Sequence, residues 1–332
     1  MAVSTSADAL AAADPALAAR VASGLVAVEA RLTEAASSDY GFLAQTSRHL
    51  LAAGGKRLRP TLVLLAAETG DPQGAGVVEA AVVVELTHLA TLYHDDVMDE
   101  AQRRRGAESA NSRYGNTVAI LTGDFLFARA SDMLADLGPD AVRLQARTFE
   151  RLVAGQIAET VGPREGEDPV AHYLQVLADK TGSLIATSAR FGGMFGGADD
   201  ATIDALTSFG EAMGVAFQIS DDIIDIASDG EVSGKTPGTD LREGVPTFPT
   251  LLVQRSARAD DARLLELLSA PVAEEDVWET LALLRTNPAM REARIELNLW
   301  VAKARAELEV LPQGAAKRAL TLLTDSLGER AS

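Results

Sequence analysis

Apolar residues recur along this chain at helical rather than strand spacing. Across residues 7–37, Leu10, Leu17, Val21, Leu25, Val28 and Leu32 fall three, four or seven positions apart, the period of an amphipathic helix. A second helix is predicted over 42–53, stopped by Gly54-Gly55, and Pro60 is placed to start a third that runs through Glu68. Residues 77–95 differ: they are apolar nearly all round, interrupted only by Glu79, Glu85, Thr87, His88 and Thr91, so that helix belongs inside the protein. Helices follow at 112–137 and 140–161, each ending before a Gly-Pro pair. Asp168-Pro169 caps another that runs to Arg190 and terminates in Phe191-Gly192-Gly193-Met194-Phe195-Gly196-Gly197. Residues 202–228 give the second long apolar helix. Beyond Pro246 the pattern gives four or five amphipathic helices, in which Trp278 and Trp300 are packing residues. The predicted fold is all-α, and with no low-complexity linker, residues 1–332 are expected to form a single-domain helical bundle with a central cavity.

Composition narrows the function. At 332 residues and 47% hydrophobic content the chain can bury a large core. Its net charge of −18 disfavours nucleic acid or an anionic membrane surface as an electrostatic partner, and makes any basic cluster conspicuous. There is no cysteine, which excludes disulfides and thiolate metal sites. The first residues have neither a basic nor an apolar leader region, and no uninterrupted apolar run approaches the ~18 residues of a membrane span. A cytoplasmic protein without stable membrane insertion is expected.

Both long apolar helices end in aspartates: Tyr93-His94-Asp95-Asp96-Val97-Met98-Asp99-Glu100 and Asp221-Asp222-Ile223-Ile224-Asp225. On a helix, Asp95 with Asp99 and Asp221 with Asp225 are i,i+4 pairs whose carboxylates share a face. At a separation of roughly 5–6 Å each pair repels by about 3 kcal/mol at an effective dielectric near 20, so a cation is expected between them. Hard oxygen ligands on facing helices suit magnesium, which binds through one or two carboxylates plus substrate phosphates. One such pair alone reads as an exposed acidic turn; two, each closing an apolar helix, read as a metal site.

The basic residues gather near these motifs in sequence. Lys56-Arg57-Leu58-Arg59-Pro60 follows Gly54-Gly55, where the backbone can approach an anion. Gln102-Arg103-Arg104-Arg105-Gly106 follows the first acidic motif, and arginine's planar fork suits a diphosphate there. Lys180-Thr181-Gly182 sets a glycine in mid-helix beside a cation that is either a ligand contact or an ordinary exposed lysine. His88, two turns before Asp95, either serves the same cavity or is a satisfied core histidine. Lys235 lies in the loop that leaves the second motif. No Ser–His–Asp or Cys–His arrangement can be nominated. Two metal-binding helix ends, a basic rim and apolar helices running away from both suit a substrate with a diphosphate head and an apolar tail. Metal ions would draw charge off the diphosphate, and a dry cavity would keep the resulting carbocation from water.

Six segments in order, GGKRLRP, HDDVMD, RRRG, DKTG, QISDDIID and GKTPGTDLREG, make residues 54–249 closely similar to the trans-type isoprenyl (polyprenyl) diphosphate synthases. That resemblance implies an all-α isoprenoid-synthase bundle, usually a homodimer, which joins isopentenyl diphosphate to an allylic diphosphate. It implies that Asp95, Asp99 and Asp221 bind magnesium, three ions per site with substrate, supported by Asp96, Asp222 and Asp225. Arg104, Lys180 and Lys235 would contact the allylic diphosphate; Lys56, Arg59, His88 and Arg105 the isopentenyl diphosphate; and Thr181 and Gln218 would flank the reacting carbons. The released diphosphate would take up the proton. Contact with a membrane would be transient, for product release. Many members read Gly-Lys-x-Thr where this chain has Gly244-Val245-Pro246-Thr247, so one secondary cation is missing.

In this family, bulky residues four, five or eight positions before the first aspartate floor the product tunnel. Here those are Thr91, Ala90 and Thr87, and no aromatic precedes Asp95 back to Ala80 except Tyr93, about 22 Å of helix. The resemblance therefore implies a product longer than farnesyl diphosphate, with a geranylgeranyl diphosphate synthase as the alternative. A class I terpene cyclase fits less well, because its second metal motif is not a second DDxxD and it lacks a counterpart of Lys56 and Arg59. A non-catalytic synthase subunit tends to lose the aspartates, and all six are present.

Overall fold

The protein is described here by a computed structural model covering residues 11–228 and 237–331. Its first long helix, α1 (Pro15–Ala35), is started by Asp14, whose Oδ1 accepts from the amides of Ala16 and Leu17 at 2.9 Å. It buries Leu17, Val21, Val28 and Leu32, the stripe its spacing predicted. The helix predicted over 42–53 is instead two pieces, α2 (Gly41–Ser47) and α3 (His49–Ala52). Ser47 donates its hydroxyl to the carbonyl of Ala36 at 2.6 Å and to that of Ala44, a side-chain competitor for helical backbone bonding at the break.

Then follow α4 (Leu58–Ala67) and α5 (Val77–Met98). By length and hydropathy α5 would pass for a membrane span, but 67% of its most apolar stretch is buried, against α4, α7 and α10 defined below. Arg103–Arg104 (β1) and Ala107–Glu108 (β2) form a small antiparallel hairpin, the strands found among the described residues. The predicted helix 112–137 is divided at Gly115, whose φ of +85° suits glycine, into α6 (Ala110–Tyr114) and α7 (Asn116–Leu137). Next come α8 (Pro139–Val161) and α9 (Pro169–Leu177), the latter capped by Asp168 as predicted.

A π-helical turn, Ala178–Gly182, interrupts what the sequence presents as one helix, and α10 (Ser183–Phe195) continues beyond it. Gly192 and Gly193 therefore lie within a helix rather than ending one. A Cβ on Gly192 would stand 2.3 Å from the Val63 carbonyl oxygen, so that glycine permits α10 to lie against α4. Next are α11 (Asp200–Ala227), α12 (Thr239–Glu243), α13 (Phe248–Ser256), α14 (Ala262–Leu267), α15 (Val277–Thr286), α16 (Pro288–Glu307) and α17 (Ala315–Arg330). Trp300 is half-buried with its indole N–H on Glu296, whereas Trp278 is 60% exposed on the outer face of α15 and is not a packing residue.

The closest helix pairs are α5 with α7, α10 with α11 and α4, and α11 with α16. One hydrophobic cluster runs continuously from Leu17 to Ala331. The fold class is thus all-α, with α5 and α11 deep in the layered core and an acidic motif at the C-terminal end of each.

Candidate active site

The hairpin carries the first set of cations. Its two-residue turn, Arg105-Gly106, has both φ angles positive, +53° and +78°, as a type I′ turn requires. That turn points Arg105 at the glycine pair before α4: Arg105 donates to the Gly54 carbonyl, and its guanidinium leaves no room for a Cβ on Gly55. Arg104, on the neighbouring strand position, donates from Nε to Asp96 Oδ1 at 2.6 Å, and its Nη2 lies 3.9 Å from Asp99. Asp96 is fully buried, and its second oxygen, Oδ2, has no hydrogen-bond partner.

The charge of Lys180 acts on both Asp95 and Asp99. Burial pushes Asp95 up to about 6; Lys180 and Arg104 oppose that, while Asp99 and Glu159 add to it. Asp99 is raised for the same leading reason. The π turn sets Lys180 against Glu159 of α8, an ion pair not anticipated from the sequence because 21 residues separate its partners. Lys180 and Thr181 also line a cleft with Tyr173, Gln218, Asp222, Val245 and Thr247. Val245 stands in that wall where a lysine is usual in the resembling proteins, so the cleft has one cation fewer.

In the second motif the middle carboxylate is again turned inward. Asp222 accepts from the Phe248 amide at 2.9 Å, from Gln218 Nε2 at 3.3 Å and from the Tyr173 hydroxyl, and burial pushes it up to about 7. Asp225 Oδ1 accepts from the Thr239 amide at 3.4 Å. Asp221 pairs with Arg330 of α17 at 3.0 Å; Arg330 also donates to Ser220 Oγ and the Phe217 carbonyl and lies over the Phe217 ring. Glu243 ends α12; burial raises its pKa, with the charges of Asp99 and Asp225 adding to that and the charge of Arg104 opposing it. Arg330 was not singled out in the sequence, because it comes from a distant segment that only the fold brings near; Glu243 falls inside the GKTPGTDLREG segment but was given no role there.

A basic group lies near Asp95. Arg59 is half-buried, its Nε has no hydrogen-bond partner, and burial takes its pKa down to about 10, with Glu85, Arg105 and Asp95 nearby. His88 is held well below its ordinary value by burial and by Arg59, Arg105, Arg104 and Arg57, so its imidazole is neutral. Arg57 turns inward instead, to Glu29 and to Glu85 at 2.9 Å. Glu85, buried among Arg57, Arg59 and Arg105, is the counter-ion of this group and was read in the sequence only as a polar interruption. Lys56 is exposed at its edge, and Lys235 lies outside the described residues.

Below the motif, Thr87 is buried and accepts from Gln145 Nε2 at 2.8 Å, Ala90 is fully buried, and Thr91 is half-buried with its hydroxyl on the His88 carbonyl. The arrangement thus has carboxylates from two helix ends, a basic group beside the first, and small side chains below.

Comparisons with known proteins show the family to which this fold belongs. The polyprenyl synthetase family profile matches residues 41–284. The chain is 50% identical over 315 residues to the nonaprenyl diphosphate synthase of Mycobacterium tuberculosis (strain ATCC 25618 / H37Rv), covering 94% of each protein. Among solved structures it superposes on the geranylgeranyl pyrophosphate synthase of Corynebacterium glutamicum, complexed with calcium and isoprenyl diphosphate, with TM-score 0.86 and 47% identity over 96% of this chain and 98% of that one. It also superposes on the polyprenyl synthase of Caulobacter crescentus CB15, again with calcium and isoprenyl diphosphate, with TM-score 0.87 and 30% identity over the full length of both. With both acidic motifs and the intervening basic segments inside the matched region, the chain belongs to the polyprenyl synthetase family of prenyltransferases.

Proposed function

We propose that this enzyme adds isopentenyl diphosphate to an allylic diphosphate, in repeated rounds, to give a trans-polyprenyl diphosphate longer than farnesyl diphosphate. The observation that carries the reading is Lys180, which lines one cleft with Asp222 of the second motif and whose charge acts on Asp95 and Asp99 of the first.

The donor set fits divalent magnesium: the first motif offers hard carboxylate oxygens, and the buried Asp96 Oδ2 among them has no hydrogen-bond partner. Among the described residues no three acidic or histidine side chains enclose an ion by themselves. That suits a metal that keeps waters and takes the rest of its ligands from substrate phosphates, with Asp95, Asp99 and Asp221 as the protein's contribution and three ions per loaded site. Bound there, the ions supply charge neutralisation for a departing diphosphate.

The chain's own residues do the rest. Arg104 and Lys180, with Lys235, hold the allylic diphosphate. Arg59, His88, Arg105 and Lys56 hold isopentenyl diphosphate, His88 as a neutral hydrogen-bond donor. Thr181 and Gln218 flank the carbons that join, and the apolar walls exclude water from the allylic cation. The departing diphosphate receives the proton, as the family resemblance implies. Thr87, Ala90 and Thr91 leave the path beneath Asp95 free of bulky side chains, which supports the longer product; the 50% identical nonaprenyl diphosphate synthase supports it too.

We read residues 1–332 as one domain acting as a homodimer in the cytoplasm. Val142, Phe149, Val153, Ile157 and Val161 form an exposed apolar stripe along α8, beside exposed Ile120 and Leu121 of α7, suited to a second copy. The test is incubation of the purified protein with labelled isopentenyl diphosphate and farnesyl diphosphate, with and without magnesium. Products longer than 15 carbons that appear only with the metal support the assignment; no elongation contradicts it.

A further inference from the structure

The aim of Asp95 and Asp99 depends on how the last turn of α5 is rotated about its axis. At about 100° per residue, Asp99 and His88 lie within about 40° of Asp95, whereas His94 and Asp96 stand about 100° to either side and Tyr93 nearly opposite. Those three flanking residues are the ones the protein ties down. The Tyr93 hydroxyl donates to the Thr46 carbonyl and accepts from the Leu50 amide at 3.2 Å. Asp96 is held by Arg104. His94, with the proton on Nε2, donates to the Ile120 carbonyl of α7 at 3.1 Å and lies 3.4 Å from Asp124 Oδ1, its ring 5.7 Å from that of Phe127.

Of these anchors, Arg104 is also 3.9 Å from Asp99 and is assigned to the substrate diphosphate, so its hold on Asp96 competes with ligand binding. His94 packs instead against α7, about 100° around the helix from Asp95. Its seat exists because position 123 is glycine: a Cβ there would stand 2.4 Å from His94 Nε2, 2.5 Å from Cδ2 and 3.1 Å from the Ala90 carbonyl oxygen. Gly123 has no positive φ to explain it, and it sits inside α7, where glycine costs about 1 kcal/mol against alanine. The close passage of α5 and the imidazole accounts for it.

We propose that His94, seated in the notch that Gly123 leaves in α7, is a positioning residue that fixes the rotation of the last turn of α5 and with it the aim of Asp95 and Asp99. This rests on the reading of those two aspartates as metal and diphosphate ligands. His94 touches neither metal nor substrate; it acts through its neighbour.

Two substitutions from opposite sides of the contact test it. His94→Ala removes the anchor, and Gly123→Ala displaces the imidazole while leaving it in the chain. Each is expected to weaken binding of manganese with inorganic pyrophosphate, measured by calorimetry, by about 10-fold or more, and to raise KM for the allylic diphosphate with a smaller change in the melting temperature. His94→Gln, whose Nε2 can reach the same carbonyl, restores most of the binding. The double variant binds no worse than either single one, because both remove the same contact. Wild-type affinity in His94→Ala, additive losses in the double variant, or no rescue by glutamine overturns the proposal, and His94→Ala with His94→Gln suffice if Gly123→Ala does not fold. If the wild-type protein itself neither binds manganese with pyrophosphate nor elongates a prenyl chain, the function reading fails and this inference with it; if it does both and the variants match it, only the positioning role fails.

Discussion

Each acidic motif has one carboxylate that is built into the scaffold. Asp96 holds Arg104, and Asp222 collects the Phe248 amide, Gln218 and Tyr173, while Asp95, Asp99 and Asp221 remain for a ligand or, for Asp221, the exchangeable partner Arg330. Asp95→Asn and Asp221→Asn are each expected to lower turnover by about 10³-fold or more with the fold retained; near-normal rates in either, measured with labelled isopentenyl diphosphate, would contradict their roles. The same environment gives a pH dependence. Burial raises Asp95 to about 6 and Asp222 to about 7, so the folded metal-free protein binds these protons more tightly than the unfolded chain does. The stability of the neutral forms is complete below about pH 4 and is lost as pH rises through 6 and then 7. The melting temperature of the metal-free protein should therefore fall more steeply between about pH 5 and about pH 7 in the wild type than in Asp95→Asn. Identical slopes in calorimetric scans would show that Asp95 is not strained by burial. Magnesium, which needs the ionised carboxylate, should bind better across the same interval.

At the scale of the helix, α5 supplies the first motif and one wall of the path beneath it. Ala90→Phe or Thr91→Phe is expected to shorten the product by several isoprene units, read by chromatography of the dephosphorylated chains. An unchanged length distribution in both variants would remove α5 as the floor. Most of α5 was legible because an all-round apolar stretch ending in DDxxD has few alternatives, and Asp168-Pro169 marked the start of α9 for a local reason, a side-chain cap. What escaped the sequence was governed by contacts across the fold. The break at Arg48 follows a Ser47 bond to Ala36, eleven residues away. The π turn at Lys180 leaves no local signal beyond Gly182, and Gly192 looked like a terminator because the carbonyl of Val63 that crowds it lies in α4. The site divides in the same way: the aspartates and arginines announce themselves by motif, whereas Glu85, Glu159, Glu243 and Arg330 acquire meaning only from partners distant in sequence.

Across the whole molecule, α5 and α11 lie in a single continuous hydrophobic cluster and each ends in an acidic motif, and the proposed site requires them to deliver both motifs to one cleft. The apolar stripe on α8 and its neighbours on α7 place the proposed partner surface directly behind the seat of His94, since the Ile120 carbonyl takes the histidine's hydrogen bond while the Ile120 side chain is 42% exposed. Introducing aspartate at both Val153 and Ile157 is expected to convert a dimer to a monomer by light scattering and to lower activity; a dimer of unchanged mass would move the interface elsewhere. The most direct test of the account is the anomalous scattering of manganese in crystals grown with a non-hydrolysable allylic diphosphate. The account predicts metal peaks coordinated by Asp95 and Asp99 on one side and by Asp221 on the other, bridged by one diphosphate. Peaks confined to a single motif, with the other still paired to Arg330, would contradict it.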